Sequence, residues 1–103
     1  MDKHYRQGDV LLVKVGSLPR DAKPQASDDK NIVLAYGETT GHSHRIAAAY
    51  AKAYQWKGDR LIEITKAARL VHEEHSAIDL EPGVYKVVLQ REYTPTAIRQ
   101  VLD

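Results

Sequence analysis

Short apolar runs rich in β-branched residues, each bounded by turn-forming residues, recur along the whole chain. Residues 9–15 form such a run between Gly8 and Gly16, and residues 32–36 form a second run that ends at Gly37. Runs of this length are too short for a typical helix and are typical of buried strands. About seven short strands at regular spacing predict an all-β fold, either a closed barrel or a small sandwich.

Residues 45–56 carry two competing patterns. Their many alanines favour a helix, because alanine is the best helix former. Their large side chains, however, recur at every second position, which is typical of a strand. With residues 57–59 as a turn and residues 60–65 as the partner strand, we predict a β-hairpin and keep the helix as the alternative. The aromatic side chains expected on the core face of this hairpin are Tyr50, Tyr54 and Trp56.

The rest of the chain predicts further strands, one loop and one short helix. Residues 17–31 contain prolines and almost no large apolar residue, so we predict a surface loop there. Thr94 followed by Pro95 is typical of a helix start, and the residues after them predict a short C-terminal amphipathic helix. A chain of 103 residues is expected to be a single β domain over residues 1–103.

The composition argues against several classes of function. Fifteen basic residues against fourteen acidic ones give a net charge of +1, which argues against a nucleic-acid partner. The chain has no cysteine, which excludes disulfides and thiolate metal sites. No apolar stretch is long enough to span a bilayer and no signal peptide is present, so we expect a soluble, cytoplasmic protein without a membrane partner. Small sheets often cover their strand edges with a second copy, so a homodimer is also expected.

Four of the five histidines fall in two short clusters. His42 and His44 lie one residue apart directly after Gly41, whose conformational freedom allows a sharp turn before them. On a strand, residues i and i+2 point to the same side, so both imidazoles are expected to face one point. This spacing suits two-point binding of zinc, nickel, iron or copper, all of which accept neutral imidazole.

The second cluster consists of His72 and His75, which bracket Glu73 and Glu74. On a continuous strand the two histidines face opposite sides, and the surrounding pattern then turns His72 and Glu74 toward the core and His75 toward solvent. A bend or bulge at the two glutamates brings in His75 instead, and a helical turn places both histidines on one side. The sequence does not choose among these three arrangements.

Together the two clusters predict a site for a divalent transition metal, with zinc, nickel or iron as candidates. Three protein ligands would leave a coordination position open, as catalytic metal sites do. Glu73 or Glu74 would then be the catalytic residue of an enzyme acting on a small molecule, with the carboxylate as a general base on water. The predicted metal ligands are His42, His44, His72 and His75.

Two other interpretations account for the same histidines. In a metal-free site the imidazoles bind an anion or act as acid and base, because histidine titrates at about pH 6.5. Alternatively, the histidines satisfy their hydrogen bonds locally and bind no ligand. Arg91 and Tyr93 share one strand face in the sequence pattern and are candidate ligand-binding residues, because arginine binds carboxylate or phosphate in a forked geometry. The alternative function is thus a non-catalytic accessory module that holds a small anionic ligand or a protein partner.

Several motifs together resemble a family of short bacterial and phage proteins of no assigned function. They lie at residues 6–10, 40–44, 72–75, 82–85 and 90–95, so the resemblance spans most of the chain. It implies no activity. More loosely, a Gly-His-x-His segment followed by a later histidine in an all-β chain is similar to the cupins, which are small jelly rolls with histidine and glutamate ligands. That similarity implies a metal held inside a barrel.

Overall fold

The computed structural model describes residues 4–25, 30–36 and 41–89. These residues form ten β-strands and one 3-10 helix, Ala48–Tyr50. The strands are β1 (His4–Gln7), β2 (Val10–Val15), β3 (Lys23–Gln25), β4 (Asn31–Tyr36), β5 (Ser43–Ala47), β6 (Ala51–Trp56), β7 (Asp59–Ile64), β8 (Ala68–His72), β9 (His75–Leu80) and β10 (Gly83–Leu89). Within these residues, a helix with the length and apolar character needed to cross a membrane is absent.

The strands form two antiparallel sheets. The larger sheet has the order β1-β2-β10-β7-β6-β3, and the smaller sheet has the order β4-β5-β8-β9. In the described part of the chain both sheets are open, with β1 and β3 at the edges of one and β4 and β9 at the edges of the other. The all-β prediction is therefore confirmed, whereas the closed barrel is wrong because the edge strands of each sheet do not pair with each other. The predicted C-terminal helix lies outside the described residues, as do Arg91 and Tyr93.

One hydrophobic core is shared by the two sheets. Leu12 and Tyr85 of the larger sheet and Ile46 and Leu70 of the smaller sheet are all 0% exposed and belong to a single cluster. Burial of a large apolar side chain of this kind contributes about 1.5–3 kcal/mol to stability. The Tyr85 hydroxyl donates to the carbonyl oxygen of Glu81 at 2.8 Å, and burial raises the pKa of this hydroxyl to about 12. The core thus contains a tyrosine without leaving its polar end unpaired.

Residues 45–56 form strands rather than a regular α-helix, but a different face from the predicted one packs into the core. The 3-10 helix Ala48–Tyr50 separates β5 from β6. After it, Ala51 and Ala53 are 4% and 6% exposed, whereas Tyr54 and Trp56 are half-buried. The prediction that the aromatic side chains form the core face is therefore wrong. The 3-10 helix has three residues per turn, so it interrupts the two-residue alternation on which the prediction was based.

The β6–β7 hairpin is present as predicted, and an additional strand lies beside it. Lys57 and Gly58 in the hairpin turn have φ values of 47° and 83°, as a type I′ turn requires. On the other side of the hairpin, β3 pairs with β6, so the predicted surface loop over residues 17–31 contains a short strand. Pro24 is compatible with this strand because β3 is at the edge of its sheet, where proline's missing N–H breaks no ladder bond.

Two irregularities in the smaller sheet are held by side chains of the larger one. The register between β4 and β5 shifts just after Val33, and Nη1 of Arg60 donates to the Val33 carbonyl oxygen at 2.8 Å. The register between β8 and β9 shifts just before His72, and Nε2 of Gln7 donates to the Ser76 carbonyl oxygen at 2.9 Å. Bulges leave ladder groups unpaired and are frequent beside functional sites. The side-chain donors supply the missing partners and connect the two sheets.

Candidate metal centre

Four imidazole rings meet where β5 passes the end of the β8–β9 hairpin. The ring centroids of His44 and His72 lie 4.2 Å apart, and those of His72 and His75 lie 4.8 Å apart. His42 contacts His72 edge-on at a centroid distance of 5.8 Å. The structure thus brings together the four histidines that the sequence analysis singled out. We call His42, His44, His72 and His75 the histidine cluster.

The β8–β9 hairpin explains how His72 and His75 reach the same place. The two residues pair directly across the hairpin, and Glu73 and Glu74 form its turn. Residues directly opposite each other in an antiparallel pair lie on one face with their Cβ atoms close together. The structure therefore has neither the continuous strand nor the helical turn considered from the sequence. The chain changes direction at the two glutamates, where a bend was one of the three alternatives. A two-residue turn without glycine or asparagine is a weak sequence feature, so the sequence did not favour the hairpin over the others.

Gln7 fixes the orientation of the buried His44 ring. Its Nε2 donates to the carbonyl oxygens of Leu70 at 3.0 Å and Ser76 at 2.9 Å. The Oε1 atom of the same amide therefore faces Nδ1 of His44 at 2.8 Å and accepts a hydrogen bond from it. With this proton on Nδ1, a neutral His44 ring has its lone pair on Nε2, where it can bind a metal. Gln7 and His44 are both 2% exposed.

The β1–β2 turn, formed by Gly8 and Asp9, lies against the histidine cluster. Gly8 has a φ of +60°, and a Cβ atom added to it would lie 2.9 Å from Nε2 of His75 and 3.2 Å from Cε1 of His44. Glycine is therefore required here both for the backbone conformation and for the close approach of the two rings. Oδ1 of Asp9 lies 3.5 Å from Nε2 of His44, the nitrogen on the far side of the ring from Gln7.

Gln7, Gly8 and Asp9 were missed as site residues by the sequence analysis. One indication was present, because all three belong to the motif at residues 6–10 that contributes to the family resemblance. A polar motif beside a turn glycine is a reasonable candidate for a functional loop. The sequence does not show that β1 contacts β9 across the two sheets, and this contact is what brings the turn to the histidines.

His72 is held in the opposite tautomer from His44. Its Nδ1 accepts a hydrogen bond from the backbone N–H of Glu74 at 3.0 Å. A neutral ring that accepts at Nδ1 carries its proton on Nε2. His72 therefore offers an N–H at Nε2, whereas His44 offers a lone pair at Nε2.

Glu73 connects the hairpin turn to β5. One carboxylate oxygen accepts from the backbone N–H of Ser43 at 3.0 Å, and the other pairs with Nη1 of Arg45 at 2.9 Å. The hydrogen bond from Ser43, supported by Arg45, lowers the pKa of Glu73 to about 2. A carboxylate with so low a pKa is a weak base. The contacts of Glu73 thus favour a structural role for it.

Glu74 lies at the solvent-exposed side of the histidine cluster. Its side chain is 62% exposed, and one carboxylate oxygen lies 3.7 Å from Nδ1 of His42. That nitrogen is buried and makes no hydrogen bond to the part of the chain that the structure describes. A distance of 3.7 Å is too long for a hydrogen bond, so the contact is electrostatic and depends on protonation of His42.

Two overlapping groups of side chains have donor atoms close enough to hold one ion. In each group the donor atoms lie within 4.8 Å of one another. Two ligands of one tetrahedral zinc lie about 3.4 Å apart, because zinc–nitrogen bonds are about 2.0–2.1 Å long, so modest side-chain rotations would close either group around an ion. The second group includes Glu73, whose oxygens already have partners, which favours the first. The groups are His44, His72 and His75, and His42, His72 and Glu73.

Comparison with known proteins gives a family match. Residues 6–90 match the model of a family described as Domain of unknown function (DUF8820). The matched range contains the whole histidine cluster and the β1–β2 turn. No curated protein and no solved structure matches the chain. The expectation of an uncharacterised family is confirmed, and its bacterial and phage origin stays a prediction.

Proposed function

We propose that this chain, which belongs to the family described as Domain of unknown function (DUF8820), binds a divalent transition metal through its histidine cluster. His44 and His75 are the two anchoring ligands, and zinc, nickel or iron is the expected ion. The main support is the 2.8 Å hydrogen bond between Nδ1 of His44 and Oε1 of Gln7. Metal-binding histidines almost always donate their second ring N–H to an acceptor of this kind, which fixes the tautomer.

The packing of the rings favours metal binding over histidines that are satisfied locally. Locally satisfied histidines need no contact with one another, yet here the rings of His44, His72 and His75 lie with centroids 4.2 to 5.7 Å apart. The buried Nδ1 of His42 also has no hydrogen-bond partner among the described residues, and an unpaired buried polar group typically costs about 1–3 kcal/mol. His42 is therefore not satisfied by a hydrogen bond within the described part of the chain.

We further propose that the protein is a metal-dependent enzyme that acts on a small molecule. A divalent ion supplies Lewis-acid chemistry toward water or a polar substrate. We assign the general base to Glu74, because its carboxylate is exposed beside the cluster whereas both oxygens of Glu73 are bound to Ser43 and Arg45. The alternative is a binding module that holds the metal without catalysis. Hydrolytic or oxidative activity of the metal-loaded protein above background would exclude this alternative.

Elemental analysis of protein purified without a histidine tag tests the proposal. We expect stoichiometric metal in the wild-type protein and its loss in His44→Ala and His75→Ala. His4→Ala is the matched control, because His4 is exposed on β1 and belongs to neither candidate group, and it should retain the metal. Wild-type protein that contains no metal, and that binds neither zinc, nickel nor iron(II) when they are added, would refute the proposal.

A further inference from the structure

We infer that the carboxylate of Asp9 is the third protein ligand of the same ion, beside the imidazoles of His44 and His75. This inference rests on the proposed metal binding and extends it to a residue that lies in neither histidine motif. In this arrangement His72 lies next to the ion and does not bind it. Four observations support the assignment.

The distance between Asp9 and His44 fits two ligands of one ion better than a direct hydrogen bond. Oδ1 of Asp9 and Nε2 of His44 lie 3.5 Å apart. A charged hydrogen bond between such groups is shorter, about 2.7–2.9 Å. Two ligands of a tetrahedral ion, with bonds of about 2.0–2.2 Å, are separated by about 3.4 Å. An ion between the two atoms therefore requires little movement of either side chain.

The surroundings of His44 also favour a cation at this position. Gln7 accepts the proton of Nδ1, so the Nε2 of a neutral ring directs its lone pair toward the carboxylate of Asp9. In this neutral form of His44 the lone pair and the carboxylate oxygen repel each other, and water screens the repulsion poorly because His44 is only 2% exposed. A metal ion between the two groups turns the repulsion into attraction to a shared centre.

The β1–β2 turn places Asp9 beside His44 and contacts His75 at Gly8. Gln7 and Val10 pair directly, so Gly8 and Asp9 form a two-residue turn. The turn is in close contact with the second histidine as well, because a Cβ on Gly8 would lie 2.9 Å from Nε2 of His75. The turn that carries Asp9 thus contacts both imidazoles, and rotation of the short Asp9 side chain would bring its carboxylate to an ion held between them.

His72 is less suited to coordination than its position suggests. Its Nδ1 lone pair is used by the backbone N–H of Glu74 at 3.0 Å. Coordination through Nε2 would move the ring proton to Nδ1 and set it against that N–H, so the hydrogen bond would be lost. In the present tautomer the Nε2–H is a donor for an oxygen-bearing ligand, such as a carboxylate or water, bound beside the ion.

The assigned donor set restricts the identity of the metal. Two imidazoles with one carboxylate leave coordination positions open and are typical of zinc and of non-haem iron(II). Soft ions such as copper(I) prefer thiolate and thioether ligands, and the chain has no cysteine. We therefore expect the site to bind zinc or iron(II) and not copper(I).

Cobalt(II) binding to the full-length protein tests the assignment, because the visible spectrum of this ion reports the number and type of its ligands. Loss of an outer-shell contact typically weakens metal binding by about 10–100-fold. Asp9→Asn should weaken cobalt(II) binding by more than this. His72→Gln should stay within that range. Asp79→Asn is the matched control, because it removes a carboxylate that is 83% exposed on β9, and it should bind cobalt(II) as the wild type does.

Asp9→Cys provides a second test in which a signal is gained. The natural chain has no cysteine, so a thiolate-to-cobalt charge-transfer band can arise only from position 9. We expect this band in the near ultraviolet. Circular dichroism of each variant confirms that it is folded.

The outcomes separate this inference from the proposed function. The inference is overturned, and metal binding by the histidines stands, if Asp9→Cys binds cobalt(II) without the charge-transfer band. The same holds if Asp9→Asn retains the wild-type affinity and spectrum, or if His72→Gln loses the ion as completely as His44→Ala. Wild-type protein that binds no metal overturns both. If the loss in Asp9→Asn stays within the outer-shell range, the presence of the charge-transfer band in Asp9→Cys supports the inference and its absence overturns it.

Discussion

Two side chains hold the β8–β9 hairpin against the rest of the molecule, one in the interior and one near the surface. Gln7 reaches the hairpin from β1 and is 2% exposed; we call its hydrogen bonds to His44, Leu70 and Ser76 the inner bridge. Glu73 reaches from the hairpin turn to β5, and its side chain is 32% exposed; we call its contacts with Ser43 and Arg45 the outer bridge. Both bridges end on neighbouring residues of β5.

The difference in burial predicts different roles for the two bridges. Water cannot replace a lost partner in the interior, so each group that the inner bridge leaves unpaired costs the full desolvation penalty. Near the surface, water solvates the separated charges and replaces much of what is lost. We therefore expect the inner bridge to determine stability and the orientation of His44, and the outer bridge to act mainly through its dependence on pH.

Gln7→Leu removes the inner bridge and should have the largest effect. Two carbonyl oxygens and the Nδ1–H of His44 lose their partner together, so the free energy of unfolding should fall by about 3 kcal/mol or more, at about 1–3 kcal/mol per buried group. Metal affinity should fall about 10–100-fold because the ring is no longer oriented. Urea unfolding and metal titration measure the two effects.

The control for this variant is Gln55→Leu, which removes an exposed glutamine–glutamine hydrogen bond of 2.7 Å with Gln25. It should leave stability and metal affinity near the wild-type values. If Gln7→Leu were as mild as this control, the distinction between an inner and an outer bridge would have no energetic basis.

Gly8→Ala tests whether the β1–β2 turn contributes to the site as well as to the fold. A left-handed backbone costs a residue with a side chain about 1–2 kcal/mol, and the new Cβ would lie 2.9 Å from Nε2 of His75. We expect that loss of stability in urea unfolding, together with at least about a tenfold loss of metal affinity from displacement of the ring.

Gly58→Ala is matched to it, because Gly58 has a φ of +83° and nothing within 4 Å of an added Cβ. It should lose stability by a similar amount and bind metal normally. Equal metal affinity in the two variants would show that the contact between the turn and His75 does not matter for binding.

The sequence predicted what depends on local pattern. The β-branched run in residues 9–15 and the hairpin pattern over residues 57–65 indicated strands. The two histidine motifs indicated that several imidazoles meet, although His42 and His44 fall in different candidate groups. The inner bridge could not be found in this way, because Gln7 and Ser76 are 69 positions apart and meet only after the two sheets pack. Contacts of this kind depend on tertiary structure, for which one sequence has no periodic signal.

The two glutamates of the hairpin turn show the same limit on a smaller scale. Glu73 and Glu74 are adjacent and chemically equivalent in the sequence, so both were predicted as candidate bases. Their roles differ because the turn directs Glu73 toward the Ser43 N–H and Arg45 and leaves Glu74 62% exposed. The orientation of a turn residue depends on backbone geometry that its neighbours in sequence do not specify.

Glu73→Gln tests the outer bridge through pH. The pKa of Glu73 in the folded state is lowered from 4.5 to about 2, so ionised Glu73 stabilises the fold fully above about pH 4.5. This contribution is lost as the pH falls from 4.5 toward 2. Urea unfolding of the wild type across this range should show the decline, and Glu73→Gln should show a smaller one. Glu74→Gln, which removes a carboxylate that makes neither of these contacts, should decline as the wild type does.

Arg69→Ala is expected to have the smallest effect, although it also acts on the β8–β9 hairpin. Nε of Arg69 and Oδ1 of Asp79 lie 3.0 Å apart across the two strands, but the side chains are 64% and 83% exposed. Exposed pairs of this kind gain little because water and salt screen them, so the free energy of unfolding should change by less than about 0.5 kcal/mol. A double-mutant cycle with Asp79→Ala measures the pair alone. A coupling above about 1 kcal/mol would contradict the comparison, because a solvent-exposed contact would then hold the hairpin about as strongly as a single buried hydrogen bond does.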